Sequence, residues 1–246
     1  MKLLCGLKYS FLVLYLVFGS DTWGQSKSEE NVPSSDNDQL QVNWIYGAYI
    51  PKDSPLLSLN NQQRVKLYLR QTFTSPGIYV KTGLFSIGDQ INDSPPEWDG
   101  ASGYAQRMGS RYGQFAIQNT IAATGNMLLR YEPRYDRCRC TGFWPRTGHA
   151  VLRNFVTYDH SESSMRPQFA SYGAALAAGA ISSTWKPHSS AWAEGYRSVF
   201  TQVGFGVLSN WLGEFAPDIL RVVRKSKNGS QQTKPENELS PKQAFP

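Results

Sequence analysis

The residues best suited to chemistry are two cysteines separated by one residue, Cys138 and Cys140. Arg137, Arg139 and nearby Arg134 carry positive charge, which stabilises a thiolate and lowers the pKa of a thiol. A thiol redox function is therefore one hypothesis. A local disulfide across one residue, or two reduced cysteines, is the structural alternative. That alternative is favoured because no Cys-x-x-Cys motif and no thioredoxin-like strand-helix pattern accompany the pair.

A second candidate is an anion-binding site around Arg146 and His149, where a helix is predicted to begin. Backbone N–H groups at a helix N-terminus lack partners inside the helix and attract negative charge. Arg134 and Arg153 would add to the local positive potential. Acidic residues within 132–159 could instead pair with these arginines inside the fold. Binding of a phosphate or headgroup and internal ion pairing therefore both remain open.

The same pair supports an enzymatic hypothesis, in which a hydrolase or phosphoryl-group enzyme uses His149 with Arg146.

A metal centre would need two further ligands beside the cysteines, and the chain offers only three histidines, His149, His160 and His188, besides its carboxylates. A fourth ligand at a workable position is not evident. We therefore predict neither a metal nor a cofactor.

The chain begins with the pattern of an export signal. Lys2 and Lys8 precede the apolar run 11–18, and small residues stand at the positions required for cleavage after Gly24. The run is too short for a spanning helix, which needs about 20 mostly apolar residues. We predict that residues 1–24 are a cleaved signal peptide and that the protein is exported.

Composition divides the remaining chain into three parts. Residues 25–43 and 226–246 are polar and lack a hydrophobic period, which predicts a disordered leader and a disordered tail. Residues 44–225 can form a single helical domain. After cleavage the chain keeps 23 basic and 18 acidic residues, a net charge of +5. Without a nucleic-acid reader motif, this mild excess predicts no nucleic-acid partner and favours an anionic lipid surface or an envelope protein.

Hydrophobic periodicity predicts an all-α fold, an irregular bundle of about six helices. Ser58 could cap the first helix. In the second, Val80, Leu84, Ile87 and Ile91 form one apolar stripe.

A longer helix is predicted to follow Asp99, its cap, with Tyr104, Met108, Tyr112 and Phe115 on one face.

Three further helical patterns cover 148–158, 171–185 and 189–223, and Pro217 is expected to break the last. The small residues of 173–180 would permit close helix contact, within the chain or in a homo-oligomer. No segment after the signal offers 18 uninterrupted apolar residues. A peripheral position on the envelope stays open because an interfacial helix needs only one apolar face.

The segments 131–135 and 142–150, together with 69–73 and 95–98, resemble a group of exported proteins of unknown function from soil bacteria of the Acidobacteria. The resemblance covers most of the predicted domain. It implies a diderm envelope, and hence a periplasmic or outer-membrane-associated location. No activity belongs to that group, so no residue inherits a role from it. The hypothesis that agrees with every feature is a non-enzymatic envelope protein with a structural or interaction role.

Overall fold

The computed structural model describes residues 42–43 and 47–232. The predicted signal peptide 1–24 lies outside the described residues, as does the predicted leader 25–43 except for its last two positions. Of the predicted tail 226–246, residues 233–246 also lie outside. The last helix continues past the predicted domain end at 225 and stops at Gln232.

Six helices make up most of the described chain, which confirms the all-α prediction. They are α1 (Asn61–Leu69), continued by a π-helical turn (Arg70–Thr74), α2 (Pro76–Ile91), α3 (Gly100–Leu128), α4 (Phe143–Phe155), α5 (Phe169–Ser182) and α6 (Ala191–Gln232).

Five short strands accompany the helices: β1 (Val42–Asn43), β2 (Gly47–Ile50), β3 (Tyr135–Asp136), β4 (Val156–Asp159) and β5 (Ser164–Pro167). β2 is the middle strand of a three-stranded sheet, antiparallel to β1 and parallel to β3. β4 and β5 form an antiparallel hairpin. Sequence periodicity had placed 156–158 inside a helix. Helix α4 ends earlier, and the β-branched pair Val156 and Thr157 continues as a strand.

Helix α5 lies between α3 and α6 and packs closely against both. Its inward residues are all small, and they are buried: Ala174, Ala175, Ala178, Gly179 and Ser182. A Cβ atom at Gly179 would lie 2.3 Å from the carbonyl oxygen of Glu194 in α6. The predicted close helix contact is therefore made inside the chain, between α5 and α6.

Two predicted helix boundaries are wrong. Asn60, not Ser58, caps α1, because its side chain accepts the backbone N–H of Gln63 while the Gln63 side chain accepts the N–H of Asn60. Pro217 does not end the last helix but lies within α6. It removes one helical hydrogen bond, and the helix continues on both sides.

The apolar stripe of α2 faces outward. Leu84 is 63% exposed and Ile91 78% exposed, and Val80 and Ile87 are exposed as well. The buried residues of α2 are mostly polar: Ile78, Thr82, Ser86 and Asp89. At about 100° per residue, the two sets centre on opposite sides of the helix. An amphipathic helix normally turns its apolar stripe to the core, so α2 reverses the usual arrangement.

Helix α3 also buries polar side chains. Arg107 is 1% exposed, and Arg111, Gln114 and Gln118 are buried on the same face. Arg107 donates hydrogen bonds to the carbonyl oxygens of Ser94, Pro95 and Trp98 and to the side chain of Gln90, which fixes the turn between α2 and α3. On the predicted apolar face of α3 only Phe115 is buried. The contact between α2 and α3 is therefore held largely by polar groups.

Replacing Gly179 by Ala should destabilise the protein by about 1 to 3 kcal/mol, because the added methyl group overlaps the α6 backbone and forces the helices apart. Gly173→Ala is the matched control in the same helix, since a Cβ there would meet nothing within 4 Å. This substitution should be neutral or stabilising by up to about 1 kcal/mol. Chemical denaturation followed by circular dichroism measures both. Equal effects at the two glycines would contradict the close α5–α6 contact.

Candidate functional site

A fully buried carboxylate, Glu214 of α6, organises the region that contains most of the predicted site residues. It accepts hydrogen bonds from the Tyr135 hydroxyl at 3.1 Å, the Cys138 backbone N–H at 3.0 Å and Arg146 Nε at 2.9 Å. Strand β3, the cysteine segment and the start of α4 are thereby fixed to α6.

Arg146 is bound on two sides. Besides Glu214, its Nη1 donates to Asp218 at 2.7 Å, and its guanidinium lies 4.3 Å from the centre of the Phe215 ring. Burial lowers the pKa of Arg146, but the hydrogen bonds to Glu214 and Asp218 outweigh it and leave the pKa raised. The hydrogen bond from Arg146 in turn holds the pKa of Asp218 below its usual value. An added anion would have to displace a carboxylate to reach Arg146.

His149 lies one helical turn after Arg146. Its Nε2 is 2.9 Å from the carbonyl oxygen of Asp136, and its ring meets the edge of Tyr135. Arg153, one turn further along α4, contacts the carboxylate of Asp136 and donates to the carbonyl oxygen of Val156. These contacts orient α4 against β3 and β4. Within residues 42–43 and 47–232, neither His149 nor Arg153 forms a hydrogen bond with a hydroxyl or thiol that could act as a nucleophile.

Arg134 belongs to a separate cluster around Glu132. The buried Glu132 carboxylate accepts Arg134 Nε at 2.7 Å and His160 Nε2 at 2.9 Å. Burial raises the pKa of Glu132, but the hydrogen bonds from His160 and Arg134 outweigh it and leave the pKa lowered. Arg134 also donates to the carbonyl oxygen of Leu57. All three arginines proposed as anion ligands thus have an internal carboxylate partner.

Cys138 and Cys140 form a disulfide, with Cα atoms 5.2 Å apart. The Cys138 side chain is covered by the surrounding fold, and its N–H is bound by Glu214. The disulfide therefore lies beside the Glu214 cluster and closes the segment that follows β3.

Sequence reasoning missed one lysine, Lys81 of α2, which has neither a hydrogen-bond nor an ion-pair partner among the described residues. It points between the rings of Phe115 and Phe205, with Nζ 4.2 and 4.1 Å from their centres. Positions three and four residues on either side of Lys81 hold no acidic residue, but the same is true of the exposed Lys66, so no local signal marks this lysine.

No group of three or more metal-ligating side chains is found within the described residues. None of the helices described is long and apolar enough to cross a membrane. Comparison of the chain with models of known protein families, with curated proteins and with solved structures finds no match. Function has to be inferred from the geometry of these residues.

Replacing Glu214 by Gln should destabilise the protein by about 2 to 4 kcal/mol, because Arg146 and the buried hydrogen-bond donors lose their common anion. Asp218→Asn is the matched control, since Asp218 also binds Arg146 but is half exposed. Its cost should stay below about 1 kcal/mol. Urea denaturation at neutral pH measures both variants. A Glu214→Gln protein as stable as the unsubstituted protein would contradict the organising role of this carboxylate.

Proposed function

We propose that this chain is an exported, envelope-associated helical protein that lies on a lipid surface through the exposed face of α2. This outer face consists of Val80, Leu84, Ile87 and Ile91. The observation that carries the proposal is the reversal of burial, with apolar side chains outside and polar side chains inside.

Two side-chain contacts join α2 and α6. Asp89 and Arg197 approach to 3.4 Å, and the Phe85 and Phe205 rings are 5.7 Å apart. Asp89 is one of the buried residues of α2, and Phe205 is directed inward, towards Lys81. These contacts therefore hold the inner sides of the two helices, and the apolar stripe of α2 on the opposite side stays exposed.

A second exposed row of apolar side chains, on α6, is aromatic. Trp192, Tyr196 and Phe200 follow each other at intervals of four residues; Trp192 is 69% exposed and Phe200 75% exposed. The Trp192 and Tyr196 rings stack with centres 6.0 Å apart. Tryptophan and tyrosine combine an apolar ring with a polar group, which suits the boundary between lipid headgroups and hydrocarbon.

Isolated apolar residues are common on protein surfaces, but a contiguous apolar patch usually marks a contact with a partner or a membrane. Lipid is favoured here because the face is one continuous apolar stripe along a single helix, which is how an interfacial helix meets lipid. The positive net charge of the chain, +6, would add attraction to anionic headgroups.

The enzymatic alternative, with His149 and Arg146, has less support because both side chains are engaged in contacts between α4, α6 and β3. The redox alternative, with Cys138 and Cys140, lacks a neighbouring thiol among the described residues with which the disulfide could exchange. The homo-oligomer predicted from small residues stays a prediction.

Vesicle binding tests the lipid contact. The protein without residues 1–24 should sediment with vesicles of phosphatidylglycerol and phosphatidylethanolamine, and more weakly with phosphatidylcholine or at high salt. Leu84→Glu combined with Ile91→Glu should lower the partition coefficient about a hundredfold, since two apolar side chains no longer enter the lipid.

The control for this pair is Leu128→Glu, because Leu128 is 78% exposed at the end of α3, outside the outer face. It should leave binding unchanged. Equal binding by all variants, or none by the unsubstituted protein, would refute the lipid contact. Dimerisation abolished by the same double substitution would identify a second copy as the occupant of the outer face.

Export is tested separately. Expressed in a diderm bacterium, the full chain should be recovered from the envelope with an N-terminus at Gln25, as measured by mass spectrometry. Salt washing should release it from the membrane fraction only in part, since apolar contacts persist when charges are screened. An intact N-terminus on protein recovered from the cytoplasm would contradict the predicted signal peptide.

A further inference from the structure

A cavity of about 360 Å³ lies between α1, α3, α4 and α6. Small-molecule sites usually occupy about 300–1,000 Å³. Side-chain amides are frequent in its lining: Gln71, Gln118, Asn119, Asn154, Gln202 and Asn210. Each amide can both donate and accept hydrogen bonds, so the lining matches a ligand with several hydroxyl or carbonyl groups.

Lys81 supplies the cavity with a cation that no carboxylate neutralises. Its ammonium is held between the Phe115 and Phe205 rings, and it makes no hydrogen bond or ion pair with the part of the chain that the structure describes. Burial lowers the pKa of Lys81 to about 8. A desolvated cation without an anion is unfavourable, and binding of an anion would remove that cost.

Thr72, in the middle of the π-helical turn, is a second unsatisfied group in the cavity lining. It is fully buried, and its hydroxyl has no hydrogen-bond partner within the described chain. The buried hydroxyls of Thr82 and Ser86 behave differently, since each donates to the carbonyl oxygen four residues earlier. A buried hydroxyl without a partner is uncommon in folded proteins and requires an explanation.

The remaining charged groups of the lining are engaged within the protein. Arg134 binds Glu132, Arg153 binds Asp136, and Arg64 donates to backbone carbonyl oxygens. Glu132 is the single acidic residue among the lining side chains, against four cations. The cavity is therefore electropositive, and Lys81 is the cation whose charge is left for a ligand.

We propose that this cavity binds a small hydroxylated carboxylate of the sugar-acid type. Lys81 and Thr72 bind the carboxylate of the ligand. The side-chain amides of Gln118 and Gln202 are hydrogen-bonded to each other at 2.7 Å. They lie one helical turn from the two phenylalanines that hold Lys81, and they bind the hydroxyl groups of the ligand. The single unpaired ammonium group of Lys81 matches a ligand with one negative charge. A phosphate site would use several cations or a helix N-terminus.

D-Glucuronate is the probe for this site, and D-glucose, which lacks the carboxylate, is its neutral counterpart. By isothermal titration calorimetry, glucuronate should bind saturably at millimolar concentration and at least about ten times more tightly than glucose, a difference of about 1.4 kcal/mol. Lys81→Met and Thr72→Val should each weaken glucuronate binding, the first at least tenfold. Lys66→Met is the matched control on the exposed side of α1 and should change nothing.

The pH dependence provides a test on the unsubstituted protein, which matters if Lys81→Met fails to fold. Affinity for glucuronate should fall as the pH rises above about 8, because Lys81 loses its charge. The other charged groups of the lining are Arg64, Arg134, Arg153 and Glu132; arginine side chains in general keep their charge in proteins, and the lowered pKa of Glu132 keeps that carboxylate ionised. Equal affinity for glucose and glucuronate, unchanged affinity in Lys81→Met, or no saturable binding of either sugar would each overturn the proposal.

Discussion

The carboxylate of Asp89 determines how the helices are arranged. It accepts Arg111 Nε and Nη2 at 2.6 Å each, and it lies 3.4 Å from Arg197. One side chain of α2 thus binds α3 and α6 at the same point. Breaking a buried ion pair of this kind costs about 3 to 5 kcal/mol, because the remaining charge is left without a partner. Asp89 must therefore face inward, and the apolar stripe on the other side of α2 must face outward.

Because the orientation of the helices depends on buried carboxylates, only part of the fold could be predicted from the sequence. The helices were predictable because the period of Val80, Leu84, Ile87 and Ile91 is helical whichever way the stripe points. Its orientation was not predictable, because it depends on an ion pair between residues 22 positions apart. The prediction that Pro217 breaks the last helix is wrong for a similar reason, because contacts distant in sequence decide the outcome. Proline disfavours a helix locally, but Arg146 of α4 binds Glu214 before it and Asp218 after it, and these contacts outweigh that preference.

The candidate site, too, was predictable only in part. The cluster of arginines and the cysteine pair are visible in the sequence, and so are the acidic residues at 132 and 136 that pair with two of those arginines. The central group of the cluster, Glu214, is 68 positions from Arg146 and carries no local signal that links them. Lys81 was overlooked because a lone lysine on a helix usually points to solvent. Only the packing of Phe115 and Phe205 around Lys81 places its charge inside the bundle.

The outer face and the cavity are consequences of one helix orientation. Val80 and Lys81 are neighbours in sequence, so they point about 100° apart around α2. In the observed orientation Val80 is exposed on the outer face, and Lys81 is directed to the cavity. Rotating α2 by one residue would bring Lys81 into the apolar surface, and it would separate Asp89 from Arg111. The ion pair at Asp89 therefore fixes at once the surface that α2 presents and the charge that it gives to the interior.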